Sequence, residues 1–128
     1  DSQDALRGNL LYDVASLIDD VRIKLPIKLK SSLFSYYLSK TSKIKNNTEK
    51  LLAQNDFDIL SVQRNLKILG IFVRLFKRDH KLSYLKFLPY AWKLLELRLK
   101  NPIFINLKYL LNKAVPKKNR KKVNFNDN

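Results

Sequence analysis

The chain has 128 residues, enough for one domain with a buried core, and its apolar fraction of 45% is typical of a globular rather than a disordered protein. It contains no cysteine, which excludes disulfides and thiolate metal sites and favours a reducing, cytoplasmic location. The formal net charge is +15, and the longest apolar run, ILGIFVRLF, is interrupted by Arg74 and is too short to span a membrane.

Two amphipathic helices are predicted in the first part of the chain. The first has apolar residues at three-to-four spacing and is expected to stop near Leu25–Pro26, because the residue before a proline avoids helical geometry. The second is expected over 28–44, and the polar stretch SKIKNNTE predicts a loop or a frayed helix end. The apolar positions are Leu10, Leu11, Val14, Leu17, Ile18 and Val21 in the first helix, and Leu29, Leu33, Phe34, Tyr37 and Leu38 in the second.

The second part of the chain begins with the most strongly periodic segment, 56–78, which predicts a long buried helix. Gly70 lies inside it, where close packing against a neighbour would explain a glycine. This segment is followed by a turn at RDHK and a short helix at LSYLKFL. A helix over 89–100, with Pro89 in its first turn, and a last helix at IFINLKYLLNKAV complete the helical part. The expected apolar face of 56–78 comprises Ile59, Leu60, Leu66, Leu69, Phe72, Val73 and Phe76.

No strand pattern is evident, so the predicted fold class is all-α. Residues 1–115 are expected to form the helical part and 116–128, PKKNRKKVNFNDN, a basic tail of low order.

Charge is concentrated in the second half of the chain. Residues 61–128 carry seventeen Lys/Arg and three Asp/Glu, whereas residues 1–60 are nearly balanced. Such a surface favours nucleic acid, anionic lipid or phosphorylated ligands, although a lysine-rich composition of the kind AT-rich genomes produce is an equally simple cause. A basic helical nucleic-acid-binding module is therefore one hypothesis, and a membrane-surface role of the last helix and tail is another.

Few residues are suited to catalysis. The two glycines, Gly8 and Gly70, are too far apart for a phosphate-binding glycine loop, and the single histidine, His80, lies in a polar turn. Asp1, Asp4 and Asp13 remain at the acidic front of the chain. Acidic residues are favoured at a helix N-terminus, but Mg²⁺ is also commonly held by one or two carboxylates together with substrate phosphates.

Two segments carry a resemblance to a known family. DSQDALRGNLLYDVASLIDDVR resembles the D-F-Q-D-A-x-x-G-x-x-x-Y-D-[LVI]-x-S-L-[LI]-x-D segment of the aminoglycoside phosphotransferase/choline kinase superfamily. VQRNLKILGIFVRLFKRDHKLSYLKFLP resembles a second motif of one branch, the bacterial N-acetylmuramate/N-acetylglucosamine (anomeric sugar) kinases. The two motifs occur in the right order and cover most of residues 1–100.

This resemblance implies roles for particular residues. Asp1 matches the aspartate that binds the Mg²⁺ bridging the ATP phosphates, although Ser2 replaces the usual Phe after it. Gln3 and Asp4 complete the motif near nucleotide and sugar, and Asp13 matches a helix-start aspartate that braces the catalytic loop. Arg64 and Asn65 are candidates for the sugar pocket, with a solvated helix face as the alternative for both.

The resemblance also implies a larger protein. It identifies the chain as the helical part of the C-terminal lobe of a protein-kinase-like phosphotransferase. The N-terminal lobe and the H-x-D-x-x-x-x-N catalytic loop are not found in these 128 residues. The chain alone is therefore expected to be inactive and to contain no catalytic residue. The expected co-substrate is ATP with Mg²⁺, and the expected acceptor is a small sugar, most simply an amino sugar of cell-wall recycling, with no membrane partner and no nucleic acid.

Overall fold

The computed structural model describes residues 2–41, 44–80 and 82–120, with side chains described from Leu10 onward in these ranges except at Leu82 and Tyr84. Within these ranges the chain forms helices and turns and no strand, so the all-α prediction is confirmed. None of the described helices is long and apolar enough to cross a membrane. The α-helices are α1 (Ser2–Ile18), α2 (Ile27–Ser39), α3 (Asn47–Asp79), α4 (Leu88–Arg98), α5 (Ile105–Ala114) and α6 (Lys117–Arg120), with 3₁₀ turns at Leu82–Phe87 and Pro102–Phe104.

The chain divides into two compact units, unit 1 (Asp1–Ser61) and unit 2 (Val62–Asn128), and the division falls within α3. The core of unit 1 is a small apolar cluster from its three helices. The rings of Phe34 of α2 and Phe57 of α3 contact each other at a tilt of 52°, with centroids 4.8 Å apart, and pack against Ala15 and Ile18 of α1. Half-buried apolar side chains surround this cluster: Leu11, Val14, Leu33, Tyr37, Leu38 and Leu60.

The end of α1 differs from the prediction. The helix ends at Ile18 rather than near Leu25–Pro26. Asp20 provides the reason, because its carboxylate accepts a hydrogen bond from the backbone N–H of Arg22 at 2.8 Å and so stabilises a turn in competition with the helix. Pro26 instead precedes the first residue of α2 in an extended conformation, and its carbonyl accepts the backbone N–H of Lys30.

The start of α3 also lies earlier than residue 56. Asn46 caps the helix, since its Oδ1 accepts the backbone N–H of Glu49 at 2.8 Å. The Glu49 carboxylate in turn accepts the backbone N–H of Lys45 at 2.9 Å. This reciprocal pairing resembles a capping box, and it starts the helix inside the stretch predicted to be polar loop.

The buried face of α3 matches its predicted apolar positions only in part. Ile59 and Val73 are 37% and 42% exposed. The other predicted positions are buried, Leu69, or half-buried, Leu60, Leu66, Phe72 and Phe76. The buried residues also include polar ones at three-to-four spacing, Asp58, Ser61 and Asn65. Hydrophobic periodicity misses these three because it gives polar residues no weight as buried positions.

Gly70 does not pack closely against a neighbour, and that prediction is wrong. A Cβ placed on Gly70 meets no atom within 4 Å, and the residue is exposed in the middle of α3. The glycine therefore contributes only its conformational freedom, which disfavours the helix.

Gly70→Ala is expected to raise the free energy of unfolding by about 0.5–1 kcal/mol, because alanine loses less backbone entropy in a helix. Urea denaturation of the two proteins measures the difference. A loss of stability in the variant would show that the position is packed after all.

His80 is exposed and has a φ of 53°, the left-handed conformation. It follows the last residue of α3, and its backbone N–H donates to the carbonyl of Phe76 at 3.0 Å, which is the usual geometry of a left-handed helix end. Glycine is the residue that adopts this conformation without strain.

His80→Gly is expected to raise the free energy of unfolding by about 1 kcal/mol, since it removes the contact between Cβ and the backbone that disfavours positive φ. His80→Ala is the control, because it removes the imidazole but keeps the Cβ. If both variants are equally stabilised, the left-handed backbone conformation of residue 80 is not the cause of the stabilisation.

Unit 2 buries one face of α4 together with residues on either side of it. Pro89 lies in the first turn of α4, as predicted, and the side chain of Asn101 accepts the backbone N–H of Ile103 at the next turn. The buried apolar side chains of this unit are Val62, Leu69, Leu85, Ala91, Leu94, Leu95, Leu99 and Phe104.

The first residues of the predicted tail are ordered, which corrects that expectation for 116–120. Arg120 is only 3% exposed. Its guanidinium lies 4.7 Å from the centre of the Trp92 ring and donates to the carbonyl of Val115 and to Asn112 Oδ1. It also lies 3.4 Å from a carboxylate oxygen of Glu96. Arg120 thereby fixes α6 to α4 and α5, and residues 121–128 lie outside the described part of the chain.

Candidate functional site

The D-x-Q-D segment lies at the start of α1. The backbone of Gln3 and Asp4 forms part of the first turn of this helix, whose first residue is Ser2. Their side chains, and Asp1 altogether, lie outside what the structure describes. The position of these residues is therefore known along the helix, whereas their assignment to metal, nucleotide and sugar stays a prediction.

Asp13 does not lie at a helix start. It is exposed in the second half of α1, which begins at Ser2, so the helix-start position predicted for it is wrong. The free N–H groups of a helix occur only in its first turn, and a carboxylate so far along α1 cannot cap them. Contact of Asp13 with a catalytic loop stays a prediction.

Arg64 and Asn65 are consecutive residues of α3. Asn65 is fully buried, so a solvated helix face is the wrong description of it, and Arg64 is half-buried. Whether either residue faces a sugar stays a prediction.

A buried polar cluster in unit 1 was missed by the sequence-based reasoning. It consists of Asp19, Lys30 and Ser61, and is called the Asp19 cluster below. The Asp19 carboxylate and the Lys30 ammonium form an ion pair at 3.0 Å, with side chains 0% and 5% exposed. The second carboxylate oxygen of Asp19 accepts the hydroxyl of Ser61 at 2.5 Å, and Lys30 also donates to the carbonyl of Ile18 at 2.5 Å.

The Asp19 cluster joins all three helices of unit 1. Ile18 is the last residue of α1, so Lys30 of α2 caps a carbonyl at the C-terminal end of α1, where a positive charge is favoured. Ser61 fixes the other side of the Asp19 carboxylate to α3. A buried ion pair needs such additional hydrogen bonds, since its attraction must offset the desolvation of both ions.

Two signals in the sequence mark this cluster. Lys30 lies one turn before Phe34 and so continues the apolar face of α2 with a charge, and Asp19 directly follows the apolar face of α1. Ser61 lies one turn after the buried Phe57. Opposite charges at the ends of two apolar faces indicate a buried pair better than either charge alone.

A second acidic residue of the same segment has a different environment. The Asp20 carboxylate accepts hydrogen bonds from the Arg22 guanidinium at 2.9 and 3.1 Å, and Arg22 is largely exposed. Hydrogen bonding to Asp20, aided by its charge, raises the pKa of Arg22 above its ordinary value. This pair stabilises the turn after α1 and offers no site for a ligand.

Metal-binding groups of three or more His, Cys, Asp or Glu are not found among the residues that the structure describes. The Asp19 cluster is also closed to solvent, and both charges in it are paired. It is therefore suited to holding helices in place.

Comparison with known proteins finds similarity to proteins named as amino-sugar kinases. The chain is similar to bacterial amino-sugar kinases over most of its length. It is 34% identical over 100 residues, 75% of the chain, to the N-acetylmuramate/N-acetylglucosamine kinase of Pseudomonas aeruginosa. It is 28% identical over 121 residues, 94% of the chain, to the enzyme of the same name from Caulobacter vibrioides, and 34% identical over 91 residues to that of Neisseria meningitidis.

These similarities confirm the resemblance to the N-acetylmuramate/N-acetylglucosamine kinases that the two motifs predict. The chain spans 27–32% of the length of these relatives. No family model matches the sequence, and no solved structure matches it.

Proposed function

We propose that this chain is the C-terminal part of an ATP- and Mg²⁺-dependent phosphotransferase of the aminoglycoside phosphotransferase/choline kinase superfamily, acting on an amino sugar of cell-wall recycling. The observation that carries the proposal is the similarity to N-acetylmuramate/N-acetylglucosamine kinases, which reaches 94% of the chain. Because the chain spans about a third of these relatives, the ATP-binding lobe and the base that activates the acceptor hydroxyl would belong to the remainder.

Asp1 is proposed as the Mg²⁺ ligand. Carboxylate oxygens are the donors that Mg²⁺ prefers, and one or two of them suffice when phosphates supply the rest, so the Asp1 carboxylate fits this ion chemically. Bound Mg²⁺ would neutralise charge on the ATP phosphates. Gln3 and Asp4, one and two residues after Ser2 in the first turn of α1, would orient nucleotide and sugar, with Arg64 and Asn65 near the sugar.

The charge of the chain favours a neutral or anionic acceptor. Residues 61–128 carry a large excess of positive charge, and many of these side chains are exposed. Aminoglycosides are polycations that such a surface repels, whereas N-acetylmuramate is an anion and N-acetylglucosamine is neutral. The exposed basic residues of unit 2 include Lys67, Arg74, Lys77, Arg78, Lys86, Lys93, Lys100, Lys108, Lys113, Lys117 and Lys118.

The metal assignment is tested in a chimera in which residues 1–128 replace the matching region of the Caulobacter vibrioides kinase, chosen because the match covers most of the chain. Mn²⁺ serves as a spectroscopic substitute for Mg²⁺, and its binding in the presence of an ATP analogue is followed by electron paramagnetic resonance. Asp1→Asn is expected to weaken Mn²⁺ binding at least tenfold, roughly the effect seen for groups that support a metal site. Asp56→Asn, at an exposed position of α3, is the matched control. Equal binding by both variants would refute the role of Asp1.

A further inference from the structure

We infer that the Asp19 cluster is a positioning device, which fixes the direction of α1 and thereby the placement of Gln3 and Asp4 at its other end. The inference rests on the proposed function, because it assigns a purpose to the start of α1. Asp19, Lys30 and Ser61 are positioning residues here, since all three lie at the C-terminal end of α1 and not among the residues proposed to touch substrate.

Apolar contacts alone define the direction of α1 poorly. Among the α1 side chains that the structure describes, which begin at Leu10, those that pack on the core of unit 1 are Leu11, Val14, Ala15 and Ile18. Hydrophobic contact is not directional, so it permits small rotations and shifts of the helix at little cost. Hydrogen bonds have preferred distances and angles, so the hydrogen bonds of Asp19 and Lys30 restrict both the rotation and the shift of α1.

The length of α1 amplifies any change at its end. Gln3 is 16 residues before Asp19, which corresponds to about 24 Å along a helix. A tilt of about 10° at Asp19 would therefore move Gln3 by about 4 Å, whereas productive site geometry tolerates only about 0.5 Å. Interactions that restrict tilt at Asp19 are thus expected to affect the geometry of the site.

The test separates positioning from stability. Removing only one charge leaves the other buried, but the double variant Asp19→Leu/Lys30→Met replaces both by apolar side chains of similar size, a change that is often neutral or stabilising. Ser61 then donates back to the carbonyl of Phe57 one turn earlier, as serine commonly does in helices. The double variant is expected to keep the melting temperature of the original chain.

Positioning is measured by the distance between two spin labels in the 128-residue chain. The chain contains no cysteine, so cysteines introduced at Leu10 of α1 and Lys50 of α3, both exposed in unit 1, are the only labelling sites. We expect the distance distribution to become about twofold broader in the double variant, because the hydrogen bonds of Asp19 and Lys30 at the end of α1 are then replaced by non-directional contacts. Lys28→Met, an exposed lysine of the same helix as Lys30, is the control and is expected to leave the width unchanged.

The same substitutions in the chimera connect position to the proposed site. The double variant is expected to bind Mn²⁺ with the ATP analogue about tenfold more weakly at an unchanged melting temperature, as misplacement of a site by about 1 Å commonly costs more than this. If the unaltered chimera binds no Mn²⁺, the proposed function fails. If the unaltered chimera and the double variant bind equally, or the label distances are equally narrow, the proposed function stands and the positioning role is overturned.

Discussion

Lys30→Met is expected to lower the free energy of unfolding by about 3–5 kcal/mol, the largest effect of any single substitution considered. The substitution keeps the length of the side chain but removes the charge. The Asp19 carboxylate, which is 0% exposed, then stays buried without its cationic partner. It also removes the hydrogen bond to the last carbonyl of α1. Since small domains are stable by only about 5–15 kcal/mol, this loss is a large part of the total stability.

Urea denaturation followed by far-ultraviolet circular dichroism measures this loss. Lys28→Met, which removes an exposed charge from the same helix, is the matched control and is expected to change stability by less than about 0.5 kcal/mol. Equal midpoints for the two variants would show that the ion pair of Lys30 does not stabilise the chain.

Arg120→Lys is expected to lower the free energy of unfolding by about 2–3 kcal/mol, although the charge is retained. A lysine has a single nitrogen and cannot replace a planar guanidinium that bonds to Val115 and Asn112, pairs with Glu96 and stacks on Trp92. The ammonium has three N–H donors on one nitrogen, so it cannot occupy the separate positions from which Nε and Nη2 of Arg120 bond to Val115 and Asn112.

Trp92 provides the measurement, because it is the sole tryptophan of the chain and lies against Arg120. Its fluorescence in a urea titration reports on unit 2. Arg74→Lys, at an exposed position of α3, is the control and is expected to have no measurable effect. If Arg120→Lys also leaves the midpoint unchanged, α6 is not held by the guanidinium.

The sequence predicts the helices well where apolar spacing and proline give the signal. The all-α class and the placement of Pro89 in the first turn of α4 follow from such local features. Helix ends are predicted less well, since they depend on side chains that bond to the backbone. Asp20 ends α1 through its bond to the N–H of Arg22, and Asn46 starts α3 through its bond to the N–H of Glu49.

Buried polar residues explain the remaining differences. Asp58, Ser61 and Asn65 lie on the buried face of α3, where a reading based on hydrophobicity expects apolar side chains. Their burial depends on partners from other parts of the chain, such as Asp19, which is 42 residues from Ser61. Spacing along one helix does not reveal such a pairing, and neither does it reveal that Arg120 is buried at the start of a basic tail.

The candidate site is a prediction from sequence similarity rather than from geometry. The motif around Gln3 and Asp4 predicts sugar kinases, and the relatives confirm the similarity. The Asp19 cluster, by contrast, emerges only from the structure. The two observations together place a proposed substrate site and a rigid anchor at opposite ends of the same helix.

Transfer of phosphate from ATP to amino sugars by the chimera is the most direct test of the account. The account predicts that the chimera phosphorylates N-acetylmuramate or N-acetylglucosamine, that Asp1→Asn abolishes the transfer, and that Asp56→Asn does not. A folded chimera that phosphorylates neither sugar, or that uses kanamycin-like polycations instead, would contradict it.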